Sequence, residues 1–290
     1  MDQAERLREL MDLPLRRARA IAVASGKGGV GKTNLAVNLG LCLSRLGRRV
    51  ILADVDIGLA NADVLLGVEP RFHLGNVLAG EVGALDALVT GPEGLLLLGG
   101  SSATSFSDLG PEERAFLART FRELEAYADF LIVDTAAGIS RNVIEFCRAA
   151  DEVLVVTTPE PTAVTDGYAL IKAIAREKGA GRIRLVVNQA RDRAEAGRVS
   201  ERLRIVSRRF LGIEVQDLGY VLSDEEVRTA VRRRRPFALE ATRSPAAVCV
   251  RAIAERILEE TRVPSPGGRG FLQRFAAAIS QSGALGGRAP

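Results

Sequence analysis

A short apolar run, Ile21-Ala22-Val23, leads into Gly26-Lys27-Gly28-Gly29-Val30-Gly31-Lys32-Thr33, and a helical pattern follows at Leu35-Ala36-Val37-Asn38-Leu39. This succession of strand, glycine loop and helix constrains the fold more than any other part of the chain. Backbone N–H groups of such a loop can wrap a polyphosphate, and the helix N-terminus adds partial positive charge. Gly26, Gly31, Lys32 and Thr33 satisfy the phosphate-loop spacing. Lys32 is placed to reach the terminal phosphates, and the Thr33 hydroxyl to bind Mg²⁺. A second lysine, Lys27, lies inside the loop. The chain holds four lysines, Lys27, Lys32, Lys172 and Lys178, within a Lys+Arg total of 40. Arginine therefore fills the generic basic positions, and lysine in the loop reads as a chemical requirement.

From Ala20 onward, apolar runs alternate with helical patterns. Strands are expected at Ile21–Ala24, Val50–Ala53, Leu95–Leu98, Phe130–Val133, Val153–Thr157, Ile183–Val187 and Val215–Val221. Helices are expected near 32–46, 111–127, 140–149, 161–178, 197–210, 224–234 and 243–261. Continuous apolar strands between amphipathic helices predict an α/β fold, with a mainly parallel, doubly wound sheet flanked by helices. A chain of 290 residues, 47% hydrophobic, suffices for one such domain with tails. Domain limits are expected at 1–19, 20–261, 262–270 (a Pro/Gly linker) and 271–290. The three cysteines, Cys42, Cys147 and Cys249, are dispersed within apolar helical patterns and read as buried thiols in a reducing cytosol. No signal-peptide pattern and no run of about twenty apolar residues occurs, so the chain is expected neither to enter nor to span a membrane.

Two further segments carry acids at strand ends. Asp54 and Asp56 alternate at the end of the second strand, where open α/β sheets bind ligands. Beside a phosphate loop, they make sense as a pair sharing Mg²⁺ and an attacking water. Phe130-Leu131-Ile132-Val133-Asp134 ends in an acid, and Gly138 follows. Asp134 would hold a Mg²⁺-bound water, while Gly138 would let the backbone approach the γ-phosphate. No glutamine suited to orienting water follows Gly138, so slow turnover is expected. Asn188 ends the strand Leu185-Val186-Val187, and locally it reads equally well as a turn residue. His73, the one histidine, has no role that this chemistry requires.

The loop Lys27-Gly28-Gly29-Val30-Gly31-Lys32-Thr33 resembles the deviant phosphate loop of the MinD/ParA family of dimerising ATPases, and the resemblance covers roughly residues 20–260. It implies ATP or ADP with Mg²⁺ as ligands. It implies that Lys27 reaches across a homodimer to phosphates on the other subunit, that Asp54 supports the Mg²⁺ shell, and that Asp56 positions or activates water. It also implies that Asn188 hydrogen-bonds the adenine edge. Lys32-Thr33-Asn34, the run Asp54–Gly67, Asp134–Ile139 and Asp166–Lys172 are most similar to the FlhG (FleN) branch of that family, which regulates flagellar number.

The ends bear on which switch this is. Asp2-Gln3-Ala4, followed by Leu7-Arg8, resembles the FlhG element that stimulates the signal-recognition-type GTPase FlhF. By that resemblance Gln3, Leu7 and Arg8 contact the partner. Near the other end, Phe271, Leu272, Phe275 and Ile279 fall on one helical face, and Gly270–Phe275 resembles the membrane-targeting helix of MinD and FlhG. Inserting these four residues would yield about 6–12 kcal/mol before ordering and association costs. One helix is then marginal, and two in a dimer bind far better. The same helix could instead dock on its own core. The expected behaviour is a cytoplasmic protein, reversibly peripheral on the inner face of the membrane. Its expected partners are an FlhF-type GTPase, an anionic membrane surface, and flagellar C-ring components or a flagellar transcription regulator. A MinD-type division-site regulator and a ParA-type DNA-partitioning ATPase are the alternatives. The net charge of +4 equals that of residues 262–290, which carry Arg262, Arg269, Arg274 and Arg288 and no acid. The balanced core argues against DNA coating, and specific DNA binding is not expected. Arg232–Arg235 reads as a solvated helix end.

Overall fold

The computed structural model describes residues 17–56, 61–100, 120–121, 123–177 and 181–261. Gln3, Leu7 and Arg8, the tail residues Phe271, Leu272, Phe275 and Ile279, and the first part of the helix expected at 111–127 lie outside them. The elements run β1 (Arg19–Ser25), α1 (Lys32–Arg45), β2 (Val50–Asp54), α2 (Ala62–Leu66), α3 (Leu74–Leu78), β3 (Val89–Thr90) and β4 (Leu96–Leu98). They continue with β5 (Phe130–Ala137), α4 (Arg141–Ala149), β6 (Glu152–Thr157), α5 (Pro161–Ala175) and β7 (Arg182–Ala190). Last come α6 (Arg193–Leu211), β8 (Gln216–Leu222), α7 (Glu225–Arg232), α8 (Phe237–Glu240) and α9 (Pro245–Thr261).

The strands form one sheet in the order β3-β4-β2-β5-β1-β6-β7-β8. All pairings are parallel except β3 with β4, which is antiparallel at the edge. Period-two alternation divides the core between the two sheet faces. Ala20, Ala22 and Ala24 of β1 pack with Leu74, Phe146, Leu170, Ile174 and Leu203, beneath α3 to α6. Ile21 and Val23 face the other way, toward Leu35 and Leu39 of α1 and Val250 and Ile257 of α9. The small residues of β1 let the first set of helices approach closely, whereas α1 meets the bulkier side of the same strand.

The five-residue helices α2 and α3, the four-residue α8 and the two-residue β3 escape a reading based on periodicity, because none completes two helical turns or three alternations. The helix expected at 197–210 begins four residues earlier, at Arg193, where Asp192 caps it by accepting from the Glu195 amide at 2.7 Å. Cys42 and Cys147 are buried and Cys249 is half-buried. Arg232–Arg235 are exposed at the end of α7, as a solvated helix end requires.

At the N-terminal pole of the sheet lies an ion cluster. The fully buried Glu152 accepts from Arg19, from Arg182 at 2.8 Å and from Arg184 at 3.2 Å. Arg184, itself buried, also reaches Glu260 at 2.7 Å, and Arg19 donates to the Ile257 carbonyl at 2.9 Å. The cluster ties the end of α9 to the start of β1.

Candidate nucleotide-binding site

The phosphate loop lies at the opposite pole, between β1 and α1. Each of its glycines has a distinct reason to be there. A Cβ on Gly26 would collide with the Asp166 carbonyl of α5, so this residue permits close helix packing. Gly28 and Gly29 would meet nothing within 4 Å, and Gly29 has φ 80°. Gly31 combines φ 85° with a side-chain amide, that of Asn188, where a Cβ would stand. Gly31 is the N-cap of α1, and neither a capping side chain nor an acid occupies the first turn. The helix N-terminus is therefore left to an anion. Ser25 fixes the loop entrance, donating from Oγ to the Lys27 carbonyl at 2.9 Å, while its own carbonyl accepts the Gly138 amide at 2.8 Å. The expected positions of Gly26 to Thr33 and Gly138 are thus brought together.

Parallel register brings the acids together. Asp134 of β5 stands opposite Val23 of β1 on one side and Asp54 of β2 on the other. Lys32 Nζ donates to Asp134 Oδ1 at 2.6 Å and lies 3.3 Å from Thr33 Oγ1. Asp134 Oδ2 is buried without a hydrogen-bond partner. Burial pushes the Asp134 carboxyl up, and Lys32 opposes this. Burial and then the charge of Asp134 push Asp54 up to about 6. Burial also raises Asp56, against the pull of Lys32.

Asp54 does more than alternation suggests. Strand β2 ends at Asp54, so strand periodicity does not place Asp56; a local turn does. Asp54 Oδ1 accepts the Asp56 amide at 3.1 Å, and Oδ2 accepts the Asn61 and Ala62 amides at 3.0 and 3.1 Å. Asp54 thus positions Asp56 and caps α2 as well as facing the site.

The contacts of three residues had no signal in the residue types alone. Lys27 Nζ donates to Glu160 at 3.1 Å and to Thr162 Oγ1 at 3.0 Å, at the N-terminus of α5; Pro161 as first helical residue is the clue that could have located this turn at the ligand end of β6. Asn188 Nδ2 donates to the Val30 carbonyl at 2.7 Å, so one N–H of its amide holds the phosphate loop. Asn38, fully buried, donates to the Asn34 carbonyl and side-chain oxygen at 2.7 and 2.9 Å and accepts the Ala238 amide at 2.9 Å, orienting Asn34. Next to the loop is a cleft lined by Asn34, Leu35, Asn188, Gln189, Leu222 and Phe237, among others.

Mg²⁺ suits this chemistry. Among the described residues no group of three or more His, Cys, Asp or Glu could hold a metal by itself, and Mg²⁺ typically keeps waters and takes phosphate oxygens as ligands. The orphaned Asp134 Oδ2 and the Thr33 hydroxyl are oxygens of the hard type it accepts.

Fold and site together define a P-loop ATPase of the MinD/ParA kind. The chain belongs to the CobQ/CobB/MinD/ParA nucleotide binding domain family, matching it over residues 21–237. It is 42% identical over 269 residues to the antiactivator FleN of Pseudomonas aeruginosa, covering 92% of this chain and 95% of that protein. It is 32% identical over 244 residues to the flagellum site-determining protein YlxH of Helicobacter pylori, covering 81% of this chain and 82% of that protein. In fold it is similar to the septum site-determining protein MinD complexed with Mg-ADP from Pyrococcus horikoshii, with TM-score 0.70, 23% identity and coverage of 86% of this chain and 100% of that one. The chain is an ATP-hydrolysing enzyme that takes ATP or ADP with Mg²⁺, and a nucleotide-dependent dimerising switch. No helix among the described residues is long and apolar enough to cross a membrane.

Proposed function

We propose that this ATPase sets flagellar number or placement, binding an anionic membrane as an ATP dimer and stimulating an FlhF-type GTPase. The observation that carries this reading is the likeness to FleN over nearly the whole chain, joined at its start by Asp2-Gln3-Ala4 and Leu7-Arg8. The name of the Helicobacter relative points the same way.

Within the site, Lys32 exchanges the Asp134 carboxylate for phosphate oxygens, which leaves Asp134 to hold a water. Thr33 and Asp134 face the Mg²⁺ side, and Asp54 keeps the Asp56 turn in place beside it. Bound Mg²⁺ supplies positive charge against the phosphates. Asp56 orients the attacking water. Lys27 leaves Glu160 and Thr162 and reaches the phosphates of a second subunit, so turnover waits on dimerisation. The base lies in the cleft beside Asn34, Asn188 and Phe237.

The test uses the full chain with the FlhF-type GTPase of the same organism. Stimulated GTP hydrolysis is expected, and Gln3→Ala with Arg8→Ala should abolish it while sparing ATP binding. Phe271→Glu should remove ATP-dependent sedimentation with anionic liposomes. If the full-length protein leaves the GTPase unstimulated, the flagellar reading fails and a division-site role takes its place.

A further inference from the structure

Four of the described helices end on the same pair of backbone bonds. In each, a residue with left-handed backbone donates its amide to the carbonyl three positions back, and the next amide reaches the carbonyl five positions back. At the ends of α1, α2 and α3 the left-handed residue is Gly47, Gly67 and Gly80, with φ 78°, 65° and 73°. At the end of α7 it is Arg234, with φ 53°. The Arg234 amide meets the Val231 carbonyl and the Arg235 amide meets the Ala230 carbonyl, both at 3.0 Å. Glycine takes this conformation without a Cβ clash, and arginine does not. The helix dipole does not explain the choice, because Arg232 in the last turn and Arg233 after it already complement it. Strain of this kind clusters where a side chain has work to do.

The four arginines of this run are not equivalent. Arg233 and Arg235 lie 3.4 and 3.7 Å from the Glu240 carboxylate, whereas Arg232 and Arg234 are exposed and make no ion pair among the described residues. The end of α2 closes against them: a Cβ on Gly67 would stand 3.1 Å from the Arg234 carbonyl. One turn back from this contact, each helix exposes a valine, Val64 at 46% and Val231 at 40%. The corner is tied to the nucleotide site from both sides. Asp54 holds the start of α2 through the Asn61 and Ala62 amides, and Asn38, which orients Asn34, accepts the Ala238 amide just beyond the arginines. We infer that the corner between the ends of α2 and α7 docks a partner protein segment in which carboxylates and aliphatic side chains are interleaved. Guanidinium forks match carboxylates in pairs of bonds, and the valines cover the aliphatic side chains. A phosphodiester backbone would meet the arginines but leave both valines in water, and Glu240 among the arginines opposes a long polyanion. The corner serves a flagellar or a division-site switch equally.

The experiment follows the fluorescence anisotropy of a labelled peptide of alternating Glu and Leu, added to the full-length protein with Mg-ATP at about 0.15 M salt. The parent should bind it, and should bind a Ser-Leu peptide about tenfold more weakly. Arg234→Gly relieves the backbone, so it should melt about 2 °C above the parent. It should hydrolyse ATP alone at the parent rate and yet bind the Glu-Leu peptide about tenfold more weakly. A residue kept only for the fold would not gain stability and lose binding together. Val64→Glu leaves the helix end intact and should weaken the same peptide by about tenfold through like charge. The docking role is overturned if the parent fails to bind the Glu-Leu peptide, if it binds the two peptides alike, or if Arg234→Gly binds as the parent does. An Arg234→Gly protein that melts no higher than the parent overturns it as well, since the strain would then be absent. If a mixed-sequence DNA duplex binds more tightly than the peptide and is lost with Arg234→Gly, the corner is a nucleic-acid surface and the protein-segment reading falls.

Discussion

The two poles of the sheet bury charge in opposite ways. At the N-terminal pole, Glu152 accepts from three arginines and Arg184 is shared between two acids. At the C-terminal pole, Lys32 pairs with Asp134 and acts on Asp56, while Asp54 stands beside Asp134 with no cationic partner among the described residues; Asp134 keeps an oxygen without a partner, and Asp54 carries its pKa up to about 6. The first pole is electrostatically closed within the chain. The second is short of positive charge, and a phosphate-bound Mg²⁺ supplies what is missing. Buried ions of the first kind hold a structure, whereas those of the second kind mark a site.

The sharpest way to break this contrast is to remove one member of each cluster. Glu152→Ala leaves Arg184 buried beside other arginines, and guanidinium cannot shed its proton. The expected loss is about 3–5 kcal/mol in urea unfolding, independent of pH between about 5 and 8, with ATP affinity of the folded protein unchanged. Lys32→Met should cost less stability, about 1–3 kcal/mol, because the Asp134 carboxyl can take up a proton. Its folded pKa then stands above the unfolded value, so the variant loses stability as pH rises, while ATP binding falls at least about 100-fold from loss of the phosphate contacts. Equal losses for the two variants, with equal pH dependence, would show that the poles do not differ.

Asp54→Asn sharpens the comparison further. The parent carboxyl is raised to about 6 in the fold. Its stabilising contribution is therefore complete below the unfolded value, near 3.9, and is lost as pH rises through about 6. The variant should show a flatter stability profile across that window. Binding of Mg-ATP at pH 6 should release about half a proton fewer than in the parent, read by calorimetry in two buffers. The smallest effect on stability is expected for Lys27→Ala, within about 0.5 kcal/mol, since its ion pair with Glu160 is exposed. Light scattering should nevertheless show no ATP-dependent dimer; a dimer would remove the role of Lys27 in trans.

The open pole was largely legible in the sequence, and the closed one was not. Gly26 to Thr33, Asp134 and Gly138 declare themselves because their chemistry depends on local spacing, and the sheet needs only parallel register to gather them. The use of Asp54 as a cap for the Asp56 turn depends on where the chain goes after β2, which spacing does not encode. The amide of Asn188 meets a carbonyl that belongs to a loop 158 residues away in sequence, a pairing that local spacing does not encode. The cluster around Glu152 is hidden for a compositional reason. Arginine is so frequent here that nothing singles out Arg19 or Arg184 from the exposed ones, and the buried pairing appears when strand order is known.

The bond from Arg19 to the Ile257 carbonyl has a consequence for protein engineering. The first strand and the last helix of the core meet at one point, so a peptide linker there would join elements that are already neighbours. A circular permutant with new termini in the exposed turn at Gly47-Arg48, where a Cβ on Gly47 would meet nothing within 4 Å, should keep every residue of the nucleotide site in place. Residues 1–16 and 262–290 could then be grafted onto it, singly or together, so that the effect of each on ATP turnover is read separately.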